Sequence, residues 1–311
     1  MELSAIHPEL REKVRKVPHM PLGSRLGRGL FRLLGRLMPA AKMPAGVSRE
    51  SVRTTRPPLR IYRPAQPRSN AALLWIHGGG FMIGTAAQDD RLCGEVCATL
   101  GIPVVSVEYR LSPDHPFPAP ADDCLAAWEW LQGAAGSLGV DPARVVVGGQ
   151  SAGGALASGL VLRLRDAGGV QPLGQWLFAP MVDDRTATRR ELDVIDHRVW
   201  NNKLNLIAWR AFLGAEPGAS GVSPYAAAAR HDDLSGLPPT WIGVGAIDLF
   251  HDEDAAFAAR LGRAGVDATF EAIPGAPHGF EAWAADTPIA RSYVAAGIDW
   301  LGRLVARVRP A

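Results

Sequence analysis

Cysteine is scarce in this chain: Cys93, Cys97 and Cys124 are the 3 among 311 residues. Three thiols cannot all pair, and none has neighbours at metal-ligand spacing, so neither a disulfide scaffold nor a zinc module is expected. Cys93 and Cys97 fall one helical turn apart and read as packed thiols in a reducing compartment. Long apolar runs are missing as well; nothing reaches the roughly 18 residues that a bilayer span needs. Residues 1–13 mix acids with bases and hold no apolar h-region, so no signal peptide is expected and the cytoplasm is the expected compartment. Charge of one sign is also lacking: 33 Lys and Arg against 31 Asp and Glu leave a net +2, which gives no argument for a nucleic-acid partner. There is no internal repeat and no low-complexity segment. What remains is an ordinary balance of 47% hydrophobic and 21% charged residues, with length enough for one large α/β domain or a core plus a lid.

Residues 1–50 differ from the rest of the chain. Residues 24–38 set Arg25, Arg28, Arg32 and Arg36 along one helical face and Leu26, Leu30, Leu33, Leu34 and Leu37 on the other. A basic amphipathic helix can lie on an anionic membrane, and a membrane-attached lipid hydrolase is one reading. The commoner use of such a stripe is to pack its leucines on the helix's own protein, and that is the expectation here. Gly27, Gly29 and Gly35 each weaken the helix by about 1 kcal/mol relative to alanine. Pro39 and Pro44 close it.

From Ser51 the chain alternates strand and helix. Strands are predicted at 59–62, 71–76, 103–107, 145–147, 175–178, 240–244 and 268–273. Helices are predicted at 88–100, 120–132, 152–166, 252–264 and 289–308. Strands separated by helices of this length imply a mostly parallel sheet covered on both faces. Residues 181–222 break the rhythm, polar at first and then helical from 204 to 213. A connection of that length usually serves as a lid. The expected organisation is therefore a cap from 1–50 and 181–222 on a core formed by 51–180 and 223–311. Trp200 and Trp209 in the lid are expected in its packing, with narrowing of a pocket as the other use.

Four stretches at the C-terminal ends of predicted strands carry chemistry, the edge where open α/β sheets bind ligands. Gly149-Gln150-Ser151-Ala152-Gly153 spells G-x-S-x-G. Hydrogen in place of a side chain two residues before and after the bend lets Ser151 sit on a strained turn at a helix N-terminus. His77-Gly78-Gly79-Gly80 follows a strand, and its free N–H groups suit a developing oxyanion. Neither the spaced glycines of a dinucleotide site nor a following Lys-Ser/Thr is present, which disfavours a phosphate loop. Asp248 lies in a loop after a strand, whereas Asp252, Glu253 and Asp254 fall where a helix start favours acids anyway. His278 lies on a Gly/Pro loop after the last strand, and His251 is too close to Asp248 in the chain to share a bridge to Ser151. Ser151, Asp248 and His278 thus occur in the order of an α/β-hydrolase triad.

The glycine loop, Gly149-Gln150-Ser151-Ala152-Gly153-Gly154 and the stretch Tyr109-Arg110-Leu111-Ser112-Pro113-Asp114-His115-Pro116-Phe117-Pro118 together resemble the hormone-sensitive-lipase-like esterases. The resemblance spans residues 59–301. It implies an α/β-hydrolase fold, a serine carboxylesterase acting on short-chain esters, and no cofactor or metal. It further implies Ser151 as nucleophile, His278 as base and Asp248 as its orienter. Oxyanion donors would be the N–H groups of Gly79, Gly80 and Ala152, with Gly78 shaping the loop and His77 anchoring it. The implied partners are a small-molecule ester and, by family habit, a second copy in a homodimer, without stable membrane insertion. Two positions depart from the family pattern. Gln150 stands where an acid is usual, which is expected to loosen hydrogen bonding behind the nucleophile, and Leu249 stands where proline follows the triad acid. An amidase or deacetylase with the same triad is the nearest rival reading. A non-catalytic receptor on this fold is the more distant one, and the presence of His278 argues against it.

Overall fold

The computed structural model describes residues 2–18 and 20–307. Two short N-terminal helices, α1 (Pro8–Val14) and α2 (Arg25–Leu37), precede an antiparallel pair, β1 (Val47–Val52) and β2 (Leu59–Pro64). The alternation comes next: β3 (Ala72–Ile76), α3 (Asp90–Leu100), β4 (Val104–Val107), α4 (Ala119–Leu138), β5 (Val145–Gln150), α5 (Ala152–Ala167) and β6 (Gly174–Phe178). After an excursion containing α6 (Asn202–Leu213) come β7 (Thr240–Gly245), α7 (His251–Arg263), β8 (Ala268–Ile273), the single turn α8 (Phe280–Trp283) and α9 (Pro288–Arg307). The end predicted for the last helix, Val308, lies outside the described residues.

The eight strands form one sheet in the order β1-β2-β4-β3-β5-β6-β7-β8. Pairing is antiparallel from β1 through β4 and parallel across β4-β3-β5-β6-β7-β8. The inner strands are apolar at nearly every position because both of their faces are covered. Ala72, Leu74 and Ile76 of β3, with Val145 and Val147 of β5, point into one core shared with α4, α5 and α7. Leu73 and Trp75, with Val146 and Trp176, point into the other, under α3 and α9. Strict alternation along a strand divides one continuous apolar run between two cores. No helix among the described residues is long and apolar enough to cross a membrane.

Two expectations need correcting. Residues 47–52 read as no strand, yet β1 pairs in register with β2 along its length. Its burial alternates between half-buried and exposed, so it never builds an apolar run. It is held by backbone pairing, and by Arg49, which donates to the buried Asp90 at 2.6 Å.

The larger correction concerns α2. Its leucines do not pack on the protein: Leu26 is 88% exposed, Leu37 69%, and Leu30, Leu33 and Leu34 50–54%. The helix turns the opposite flank inward. Arg32 donates through Nε to the Met82 carbonyl at 2.8 Å and through Nη2 to the Ser112 carbonyl at 2.7 Å, and it pairs with Asp114. Arg28 donates to the Leu22 carbonyl at 2.7 Å, and Phe31 packs against the main core. A glycine on this side allows the approach: a Cβ on buried Gly27 would come within 2.2 Å of the Pro21 carbonyl oxygen. Guanidinium groups meeting backbone carbonyls thus decide which face of α2 is inside.

Candidate active site

The sharp turn between β5 and α5 holds Ser151 at φ 55°, ψ −119°, a positive-φ conformation rare for a residue with a side chain. Backbone crowding explains why glycines flank it. A Cβ on Gly149 would lie 2.4 Å from the Gly153 carbonyl oxygen, and one on Gly153 2.0 Å from that of Ile76. The turn is pinned by the Ser151 N–H, which donates to the Phe178 carbonyl at 2.8 Å. Its own carbonyl accepts from Met181 N–H at 3.1 Å. The Ser151 hydroxyl is thereby presented at the N-terminus of α5.

His278 and Asp248, from the loops after β8 and β7, reach the same point. Ser151 Oγ lies 2.9 Å from His278 Nε2, and His278 Nδ1 lies 2.7 Å from Asp248 Oδ2. The other carboxyl oxygen of Asp248 accepts the Phe250 N–H at 3.0 Å. With both Asp248 oxygens accepting, the ring proton belongs on Nδ1, leaving the Nε2 lone pair toward the hydroxyl. All three side chains are buried. Burial pulls the His278 pKa down, but the charge and hydrogen bond of Asp248, with Glu281 nearby, outweigh it, and the net shift is upward. His251, at the start of α7, instead faces Asp252 with Nδ1 at 2.9 Å.

The glycine loop lies alongside. A Cβ on Gly78 would come within 3.5 Å of the Ser151 Cβ, so this backbone runs directly against the serine. Gly79 and Gly80 have φ of 120° and 57°. A Cβ on Gly79 would lie 2.1 Å from the Ile83 carbonyl oxygen, so the turn needs glycine there. Ala152, as the first residue of α5, has an N–H with no intrahelical acceptor. Among the described residues, none of the Gly79, Gly80 and Ala152 N–H groups is taken by a backbone acceptor. His77 is buried and stacked on Tyr109 with ring centroids 4.2 Å apart, and Tyr109 donates to the His77 carbonyl at 3.0 Å.

Three features are weakly signalled in the sequence or not at all. Trp209 packs in the core against Phe81 and Phe212, which is the use expected of it. Trp200 does more: its ring lies 6.3 Å from that of His278, and it would block a Cβ on Gly80 at 2.3 Å. Glu281 carries no motif. It is buried, accepts a hydrogen bond from the Gln150 amide, and its carboxyl is pushed up to about 7 by burial. Gln150 is therefore held rather than loosened, the reverse of the expectation, because the acid absent at 150 is supplied from α8. The only sequence signal for Glu281 is its position three residues after His278. Trp283 closes this side by donating its indole N–H to the His278 carbonyl at 2.9 Å.

Among the described residues, no cluster of three or more His, Cys, Asp or Glu side chains has a metal-binding arrangement. The three cysteines are free and buried, with burial pushing Cys97 up to about 12 and Cys93 and Cys124 well above the ordinary thiol value. Thiols held this firmly in the protonated form are inert.

Residues 73–282 match the family model described as the alpha/beta hydrolase fold. The chain belongs to that family and, within it, to the hormone-sensitive-lipase-like esterases, which are serine carboxylesterases. It is 33% identical to the carboxylesterase NlhH of Mycobacterium tuberculosis over 79% of this chain and 78% of that one. It is equally 33% identical to an ethyl acetate hydrolase of Pseudomonas putida, over 72% and 71%. Among solved structures, a bacterial heroin esterase superposes with a TM-score of 0.90 at 36% identity, covering 97% of this chain and 99% of that one.

Proposed function

We propose that the protein hydrolyses short-chain carboxylic esters by acyl transfer to Ser151. His278 takes the hydroxyl proton as Ser151 Oγ attacks the ester carbonyl, and Asp248 holds the ring tautomer and stabilises the imidazolium. The oxyanion is held by the N–H groups of Gly79, Gly80 and Ala152, with Gly78 setting the approach of the loop to the serine. The alcohol leaves with the proton carried by His278, and water then releases the acid by the same route. The supporting observation is the continuous relay from Ser151 Oγ through both ring nitrogens to Asp248, at 2.9 and 2.7 Å. A small acyl group is favoured by Trp200, whose ring closes over Gly80, and by the ethyl acetate hydrolase among the relatives.

Residues 181–222, with the chain before β1, we read as a cap over this site. Val14 and Met20 from one segment and His197 and Leu204 from the other line one hollow, which supports the pairing.

The test is hydrolysis of short 4-nitrophenyl esters. Ser151→Ala is expected to reduce kcat/KM by about 10³-fold or more. An unchanged rate in that variant ends the assignment.

A further inference from the structure

The leucine face of α2 is left without a partner, and the helix is oriented so that it must be. Leu26, Leu30, Leu33, Leu34 and Leu37 recur at helical spacing along the exposed side, and Met38, 62% exposed, extends the stripe. The helix cannot simply roll to bury them. Arg32 ties its other side to the Met82 and Ser112 carbonyls, and Phe31 already packs against the core. Exposed leucines this concentrated mark an interaction surface rather than chance.

Charge identifies what covers it. Residues 13–48 contain eight of the chain's 33 basic residues and none of its 31 acids, so this segment is +8 while the remainder is −6. Lys13, Arg15 and Arg32 pair with Asp286, Glu12 and Asp114 from outside the segment, which leaves its excess positive charge on the other five basic residues, Arg25 and Arg36 among them. Arg25 and Arg36 are exposed on α2 and lie beside the leucine stripe at helical spacing. We propose that α2 seats the protein on an anionic lipid surface, with the leucines at the boundary of headgroup and acyl chain and Arg25 and Arg36 on lipid phosphates. An apolar stripe flanked by arginine on a helix of low overall hydrophobicity is the composition of an interfacial helix. A second copy fits poorly: a two-fold contact through this face would set Arg25 and Arg36 of one copy against those of the other.

Access to the site would change with this seating. Arg32 is bonded to the carbonyl of Met82, within the loop that begins at His77. A lipid surface under α2 would lie one helix away from the oxyanion loop, where esters dissolved in the membrane become local substrates.

The experiment is co-sedimentation of the full chain with vesicles of phosphatidylcholine alone or mixed equally with phosphatidylglycerol. The wild type is expected to bind the anionic vesicles at least about tenfold better than the neutral ones at low salt, and to release them at about 0.5 M salt. Leu30→Ser/Leu33→Ser is expected to abolish binding while hydrolysing soluble 4-nitrophenyl acetate within about twofold of wild type, which reports an intact fold. Arg25→Gln/Arg36→Gln is expected to weaken anionic binding severalfold. Absence of wild-type binding at low salt, or equal binding by the leucine variant, overturns the proposal. So does a concentration-dependent dimer that the leucine variant dissolves while vesicles are ignored. Because vesicle binding is read without turnover, loss of the esterase assignment would leave this test standing, with circular dichroism then reporting the fold.

Discussion

At the scale of single residues, the site joins a strained serine to a histidine whose proton affinity is set by competing forces. Burial opposes the imidazolium, while Asp248 and Glu281 favour it, and the second influence prevails. In the proposed mechanism His278 must be neutral to accept the serine proton, so kcat/KM is expected to fall as pH drops through a value above the ordinary histidine pKa of about 6.5. Glu281→Gln removes one of the groups raising that value. Its pH profile should show the acid limb displaced downward relative to wild type. A limb that stays in place would show that Glu281 carries no charge to His278. The positions of Ser151, Asp248 and His278 were legible in the sequence because each lies just after a strand at the same sheet edge. Glu281 was not legible, since its meeting with Gln150 depends on how α8 folds back beneath the nucleophile turn.

At the scale of elements, the turn from β5 into α5 shows how closely backbone geometry and chemistry are tied. Gly153 faces the Ile76 carbonyl oxygen so closely that a Cβ would stand 2.0 Å away, and the group that would have to yield is backbone rather than a flexible side chain. Gly153→Ala is expected to push α5 away from β3, at a cost near or above the upper end of the roughly 1–3 kcal/mol typical of overpacked sites. Urea titration should show the lowered midpoint, and ester hydrolysis should fall with it. A variant with wild-type midpoint and rate would mean that the turn has slack the structure does not display. Helix ends were legible at Gly101 and Gly214, which close α3 and α6 in left-handed conformations, whereas the helix expected to stop at Gln132 runs on to Leu138, where Gly139 closes α4. β1 was not, because an edge strand held by backbone pairing and by Arg49 needs no apolar pattern.

At the scale of the whole molecule, buried acids govern the response to pH. Burial raises Glu253 and Asp254 well above the ordinary carboxyl range, and Glu281 from 4.5 to about 7. Each folded-state group holds its proton where the unfolded chain has lost it. The stability so conferred is complete below about pH 4 and disappears as pH rises through the folded values. His278, also raised, loses its contribution in the same direction. The free energy of unfolding is therefore expected to drop between pH 5 and pH 8.5, with Glu281 alone contributing roughly 2–3 kcal/mol, read from urea midpoints. A flat or rising profile would contradict it.

The amino-acid sequence by itself determined the alternation of strands and helices, the sheet edge that carries the site, and the residues gathered there. Those features arise from local chemistry: side-chain periodicity, glycine at crowded turns, and motifs that sit directly after strands. Only the tertiary structure decided that Gln150 meets Glu281, that Trp200 closes over Gly80, and that α2 turns its leucines outward. An amphipathic pattern specifies that a helix has two unlike faces, but not which of them the protein buries. That choice was made by carbonyl groups of Met82 and Ser112, distant in the chain, which offered Arg32 a better partner than water.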